Sequence, residues 1–332
     1  MKSCRLILVL LALIEAGCSS ESKVKEKMAQ IRVWEDQGWT ANGRLTGLLS
    51  DKSEAVRECA ALALGRVNDT LALDSLRRVM LNDPSAKVRG TAAFALSAWT
   101  WKVGKDALLE ALAAEKDPEA LVLILHSLAR TYAREEYERY FPFLKHSDPR
   151  VRAQAALTLD MINRREAVDS IIPLLDDPDV GVRNIALQAL TRMNSENAAR
   201  LGLRFVDDPD PSARALAYRL VGSVRFPERN DAILKGFRDS DDLVRCAVAD
   251  ASLVMRDTSV VNRILPTLAA DPSAAFVQRT LRAVAEHIHA SPTEYVVPLL
   301  SHPDPTVRAT AVNALCNRRD TPCWREIAMA AD

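Results

Sequence analysis

Five histidines and six cysteines are the side chains in this 332-residue chain whose spacing would most directly announce a metal site or a thiol nucleophile. A helical zinc pair needs two ligands four residues apart and a third from elsewhere. His126, His146 and His302 stand singly, and His287 and His289 are two apart and point to different sides of any helix. No metal or other cofactor is expected. The motifs Gly-x-Ser-x-Gly, His-Glu-x-x-His, Cys-x-x-Cys and the phosphate-binding Walker loop are all missing, so no catalytic residues are assigned and the chain reads as a non-enzyme. Lys plus Arg equals Asp plus Glu at 44 each, and a neutral chain is poorly suited to neutralising nucleic-acid phosphates.

The elements that carry these residues form one pattern repeated nine times. Asp83-Pro84 leads to Val88-Arg89, Ala92, Ala95 and Leu96; Asp177-Pro178 leads to Val182-Arg183, Ala186, Ala189 and Leu190. With the Val as position 0, the apolar positions 0, 4, 7, 8 and 11 make one stripe of an α-helix. The residue after that position is Arg57, Arg89, Val122, Arg152, Arg183, Arg214, Arg245, Gln278 and Arg308, at spacings of 30 to 33. A period near 31 holds two short helices and two turns. The first helices are read at Leu71–Leu81, Ala107–Ala114, Ala167–Leu175, Val260–Ala269 and Tyr295–Leu300.

This pattern resembles short HEAT repeats of the phycobilisome-lyase type. The resemblance implies an all-α solenoid over residues 39–320, in which each helix pair buries its stripe against its neighbours. It also implies that the Arg series and the Asp about six residues earlier (Asp51, Asp83, Asp177, Asp208, Asp239) form an internal structural ladder rather than an anion-binding rail. The deoxyhypusine hydroxylases, also HEAT-like, hold iron with His-Glu pairs, and no His-Glu dipeptide occurs here. Bilin lyases share the repeat and supply an alternative function, lyase or chaperone; nucleic-acid binding is a third.

The ends differ from the array. Lys2 and Arg5 precede an apolar run from Leu6 to Ile14, as in an export signal, too short to span a bilayer. Ala16-Gly17-Cys18 is similar to the lipobox of bacterial lipoproteins, although Glu15 stands where that family has an apolar residue. Residues 1–17 are therefore read as a signal peptide and Cys18 as the lipidated first mature residue, anchoring the protein at the periplasmic side of the cell envelope; a secreted or soluble periplasmic protein, an uncleaved anchor and a cytosolic protein are the alternatives. Residues 18–38 read as a tether and capping helix, with Val24, Met28, Ile31 and Trp34 on one stripe, and 321–332 as a capping half-repeat. Cys316 and Cys323 are either a disulfide stapling that cap or two unpaired thiols.

Two surface features could receive another protein or peptide, the expected partner. Position 6 of each second helix points away from the stripe and is occupied by Leu62, Phe94, Ser127, Leu157, Gln188, Arg219, Asp250, Ala283 and Asn313. Its apolar first half is either a docking groove or a surface covered by the neighbouring helix. An aromatic cluster comprises Trp99, Trp101, Tyr132, Tyr137, Tyr140, Phe141 and Phe143. Phe141 and Phe143 read as core, and Trp101, Tyr132, Tyr137 and Tyr140 as interface anchors.

Overall fold

A computed structural model of the chain describes residues 21–38, 41–68, 70–98, 101–131, 133–255, 258–286 and 293–316. Every regular element among them is helical. The apolar stripe of the N-terminal segment folds as α1 (residues 21–36), with Ile31 fully buried and Val24, Met28 and Trp34 half-buried. The second elements of the nine copies follow as α2 (Glu54–Val67), α3 (Ala86–Leu96), α4 (Pro118–Arg130), α5 (Pro149–Met161), α6 (Val180–Arg192), α7 (Pro211–Ser223), α8 (Asp242–Met255), α9 (Ala274–Glu286) and α10 (Pro305–Cys316). The first elements are more varied. Leu73–Asn82, Trp101–Ala114 and Thr258–Leu268 are α-helical, whereas Tyr137–Lys145, Ile172–Asp176 and Val297–Ser301 are 3₁₀, each containing a proline. Proline removes an N–H and crowds the preceding turn, which favours these short tight segments.

The chain divides into two compact units, residues 1–162 and 163–332. In the first, α2, α3, α4 and α5 stack in sequence; in the second, α6 to α10 do the same. Within each unit the second helices thus pack chiefly on their neighbours along the array, the arrangement of an α-solenoid. Small residues set how closely they stack. A Cβ on Gly65 of α2 would lie 2.7 Å from the Ala95 Cα of α3, and one on Gly222 of α7 would lie 2.6 Å from the Ala251 Cβ of α8. Asn68, Asn163 and Asn194, all with φ between 53° and 59°, end α2, α5 and α6 by turning the chain into the left-handed region.

The structure corrects the register of copies three and eight. The residue three before position 0 stands at the N-cap in every copy, Ser53, Ser85, Asp117, Asp148, Asp179, Asp210, Asp241, Ser273 and Asp304, and all but Ser53 accept a backbone N–H of the first turn through the side chain. Position 0 is therefore Ala120 in copy three and Phe276 in copy eight, and the spacings tighten to 31 or 32 throughout. All nine position-0 side chains are buried. The slot after it holds Leu121 and Val277 in those copies, in place of Val122 and Gln278.

This register exposes the logic of the ladder. Five residues before position 0 stands Asp51, Asp83, Glu115, His146, Asp177, Asp208, Asp239, Asp271 or His302, and its side chain accepts the backbone N–H of the capping residue at 2.9–3.0 Å in all nine copies. Each of the seven arginines donates Nη1 to the carbonyl of that same residue at 2.7–3.0 Å. The guanidinium also reaches the following copy: Arg57 grips Asp83 at 2.7 and 2.9 Å, Arg89 grips Glu115 at the same distances, Arg214 grips Asp239 at 2.8 Å twice, and Arg245 meets Asp271 at 3.3 Å. Copies three and eight have no arginine to offer, and it is the copies directly after them that carry His146 and His302 instead of an acid. The imidazole Nδ1 accepts the capping N–H as a carboxylate does, without bringing a carboxylate's negative charge into a partly buried joint.

Two outcomes follow from the ladder. Leu121→Arg and His146→Asp should each destabilise the fold, one by placing a cation against imidazole and the other by leaving a carboxylate bare. The double variant should recover by a coupling energy of about 1–3 kcal/mol, read from denaturant midpoints; additivity would refute the pairing. Burial raises the Glu115 and Asp239 carboxyls, but guanidinium and backbone hydrogen bonds outweigh it and leave both below their ordinary values of 4.5 and 3.8. Their stabilisation is therefore complete above those unfolded-state values and disappears as pH falls through the folded ones. Thermal melts should show the midpoint flat down to about pH 5 and dropping steeply below about pH 4, less steeply in Asp239→Asn.

Candidate functional site

Position 6 lies on the solvent side of the second helices, and the corrected register changes its membership. In the first unit the row is Leu62, Phe94, His126 and Leu157, all half-buried. Ser127 and Ala283, assigned to the row from sequence, are fully buried, with the Ser127 hydroxyl donating to the Leu123 carbonyl at 2.7 Å. His126 and Arg282 stand in their places. The neighbouring helix covers part of each apolar side chain without closing over the row.

The centre of the row is a stack. The His126 ring lies on Phe94 with centroids 6.2 Å apart and planes 21° from parallel, and the Arg130 guanidinium sits 5.0 Å from the Phe94 centroid. His126 and Arg130 are one turn apart on α4, so both reach the same ring on α3. Burial, and then the charge of Arg130, hold the His126 imidazole below its ordinary 6.5. It is therefore a flat neutral ring at neutral pH, with an exposed guanidinium beside it that has no carboxylate partner among the described residues. Charges flank the row: Lys87 pairs with Glu58 at 2.8 Å and Arg66 with Glu35 of α1 at 2.6 Å. Beyond Leu157, Met161 is an exposed apolar side chain at the end of α5. Cys59, half-buried on α2, has its thiol pushed up by burial and is no activated nucleophile. The row can offer aromatic, aliphatic and cation contacts to a segment laid across it; it assembles no acid–base pair.

The described members of the aromatic cluster do not sit as the sequence reading placed them. Tyr140 is a correction: it is fully buried, its hydroxyl donating to the Ala133 carbonyl at 3.2 Å, and burial drives its pKa well above the ordinary range. Phe141 and Phe143, read as core, are only half-buried. The inversion arises because Tyr137–Lys145 is 3₁₀ around Pro142, so a 3.6-residue period assigns the wrong faces. Tyr137 is half-buried against Phe141, edge to face at 5.7 Å. Trp101 opens the helix Trp101–Ala114, while Trp99 and Tyr132 lie outside the described residues. So do Cys18, Cys323, His287 and His289. Cys316 is exposed at the end of α10. No group of three or more His, Cys, Asp or Glu side chains suited to a metal occurs among the described residues. No described helix is long and apolar enough to cross a membrane.

His126 and Arg130 are the residues that sequence reasoning missed. The signal was available in Asp117, whose place three residues before Ala120 matches the caps of the other copies.

Comparison with known proteins agrees with this architecture. The family model for HEAT repeats matches residues 8–97 and 138–201. Its first residues fall in the segment read as an export signal, where Leu and Ala dominate as they do in the repeats. Sequence comparison with curated proteins finds no match. Among solved structures the chain is similar to the Escherichia coli protein YibA, with TM-score 0.57 and 16% identity over 77% of this chain and 95% of that one. An engineered protein matches with TM-score 0.52 and 18% identity, covering 89% and 93%. Kap95p, solved with RanGDP, matches with TM-score 0.63 and 14% identity over 88% of this chain and 47% of its own length. At these identities the likeness shows the fold alone.

The stack gives a direct reading in solution. The His126 Hε1 resonance should titrate with a midpoint below 6.5. Arg130→Gln should move it upward without restoring the ordinary value, because burial is the larger cause. A midpoint at or above the ordinary value in the unmodified chain would contradict the stack.

Proposed function

We propose that the chain is a non-enzymatic scaffold that binds another protein or peptide along its second-helix surface, tethered at the bacterial cell envelope through lipid on Cys18. The observation that carries the binding reading is the open row of Leu62, Phe94, His126 and Leu157, with Arg130 beside it. Such a row on stacked rigid helices keeps its shape before a partner arrives, which lowers the ordering cost of association. Aromatic and arginine side chains at its centre are the types that carry interface energy. Likeness to Kap95p adds a precedent in fold, since that protein binds RanGDP. The envelope location rests on the sequence of residues 1–18.

Expression in a bacterium with the native N-terminus, followed by peptide mass spectrometry, should find diacyl- or triacyl-Cys18 as the first residue. An intact Met1 in a soluble cytosolic protein would sink the tether. A photo-crosslinking residue at Phe94 should capture one discrete envelope protein, and the same residue at the exposed Leu71, on the first-element side, should not. Equal capture from both positions, or from neither, would sink the scaffold reading.

A further inference from the structure

The second unit holds an open cleft of about 960 Å³, a size that suits ligands of short-peptide dimensions. Its walls come from the turn before α7, α7 itself, the helix Arg229–Gly236 with the turn after it, and the helix Thr258–Leu268. Tyr218 of α7 lines the cleft although the residue is only 1% exposed. It stands at position 5 of its helix, which is Ala, Leu or Val in the other eight copies. The ring fits because it faces Gly236: a Cβ there would lie 2.7 Å from the ring carbons Cε1 and Cζ. The hydroxyl makes no hydrogen bond to a described residue. Burial, and then the charges of Asp239 and Asp207, push its pKa up to about 12, so it is a neutral donor at neutral pH. Helix stacking has no use for this hydroxyl, and burying one without a partner costs stability.

Eight charged side chains line the cleft, in two sets. One set is paired internally: Arg214 with Asp239 at 2.8 Å twice, and Lys235 with Asp207 at 2.6 Å twice. The other set has no ionic partner among the described residues: Asp208 and Asp231 are acids, Arg238 and Arg263 bases. The Asp208 carboxylate accepts only the Asp210 N–H, at 2.9 Å. Acids and bases balance, so the lining favours neither a simple anion nor a simple cation. The free charges are also held apart. Asp231 and Arg238 are seven residues apart along one helix and its turn, about 10 Å at the helical rise. Asp208 and Arg263 belong to copies six and eight, two layers and about 20 Å apart.

We propose that this cleft binds a short peptide with free termini, its α-ammonium at Asp208 and Asp231, its α-carboxylate at Arg238 and Arg263, and a backbone carbonyl at the Tyr218 hydroxyl. The inference does not depend on the scaffold reading, because the site lies wholly in the second unit and shares no residue with the row. A peptide with free ends is neutral overall and carries one charge of each sign at its extremities. Four to six extended residues span about 13–20 Å, the scale on which the free acids and bases are separated. The guanidinium fork takes a carboxylate through two parallel hydrogen bonds. Between the charged ends, Val206, Leu234 and Ile264 offer apolar contact to the peptide's side chains.

The test is isothermal titration calorimetry on the full chain with the tetrapeptide Ala-Leu-Leu-Ala, free at both ends. The N-acetylated peptide, the C-amidated peptide and inorganic phosphate are the comparison probes. The free peptide should bind, and each blocked peptide should bind about tenfold more weakly. Asp231→Asn should erase the penalty of acetylation and keep that of amidation. Arg238→Gln with Arg263→Gln should do the reverse. Tyr218→Phe should weaken the free peptide by about threefold or more without lowering the thermal midpoint, since the hydroxyl has no partner in the fold. Arg282→Gln, an exposed change outside the cleft, should stay within about twofold. No binding of the free peptide, equal binding of free and blocked peptides, or phosphate bound as tightly as the peptide would each overturn the proposal. So would a Tyr218→Phe protein that binds the peptide as the unmodified chain does.

Discussion

A guanidinium that bonds backward and forward at once is the interaction on which the rest of this structure depends. Through Nη1 it fixes the carbonyl just ahead of its own helix, and through its other nitrogens it holds the acid of the next copy. That acid is already engaged with the capping N–H of its own turn. Three groups, each awkward to bury alone, satisfy one another in a partly buried joint. Turn shape, helix start and copy-to-copy spacing are thereby set by one side chain. The apolar stripe supplies most of the driving force for stacking, but it is degenerate in register, since Ala, Leu and Val recur along every helix. Polar bonds with fixed lengths remove the degeneracy.

The replacement of carboxylate by imidazole in the copies that follow Leu121 and Val277 keeps an unpaired negative charge out of those two joints. Neither substitution is intelligible alone. A leucine in the arginine slot would orphan an acid, and a histidine facing an arginine would waste the cation. Their joint occurrence at both interruptions, 25 residues apart each time, follows from the cost of an unpaired ion in a partly desolvated place.

Most of the architecture was legible from the chain itself, because nine copies at a period near 31 over-determine the helix pair. What failed to read had local causes. In copy three, Ala120, Leu121 and Val122 are all apolar, so hydrophobicity cannot select position 0, and only the cap Asp117 decides it. That slip displaced His126 and brought in the buried Ser127. Tyr140 was misplaced because Pro142 tightens its segment to 3₁₀. The pairing of Phe94 with His126 and Arg130 spans two copies, and no local pattern announces which side chains meet across a helix–helix contact.

The neutral joints also govern where the array divides without chemical damage. A boundary after α2, α3, α7 or α8 separates an arginine from the acid of the copy after it, leaving a stranded cation on one fragment and a bare carboxylate on the other. A boundary after α4 or after α9 parts only leucine or valine from a histidine that already has its own turn to bond. Cutting the chain at those two seams would strand neither a cation nor a carboxylate.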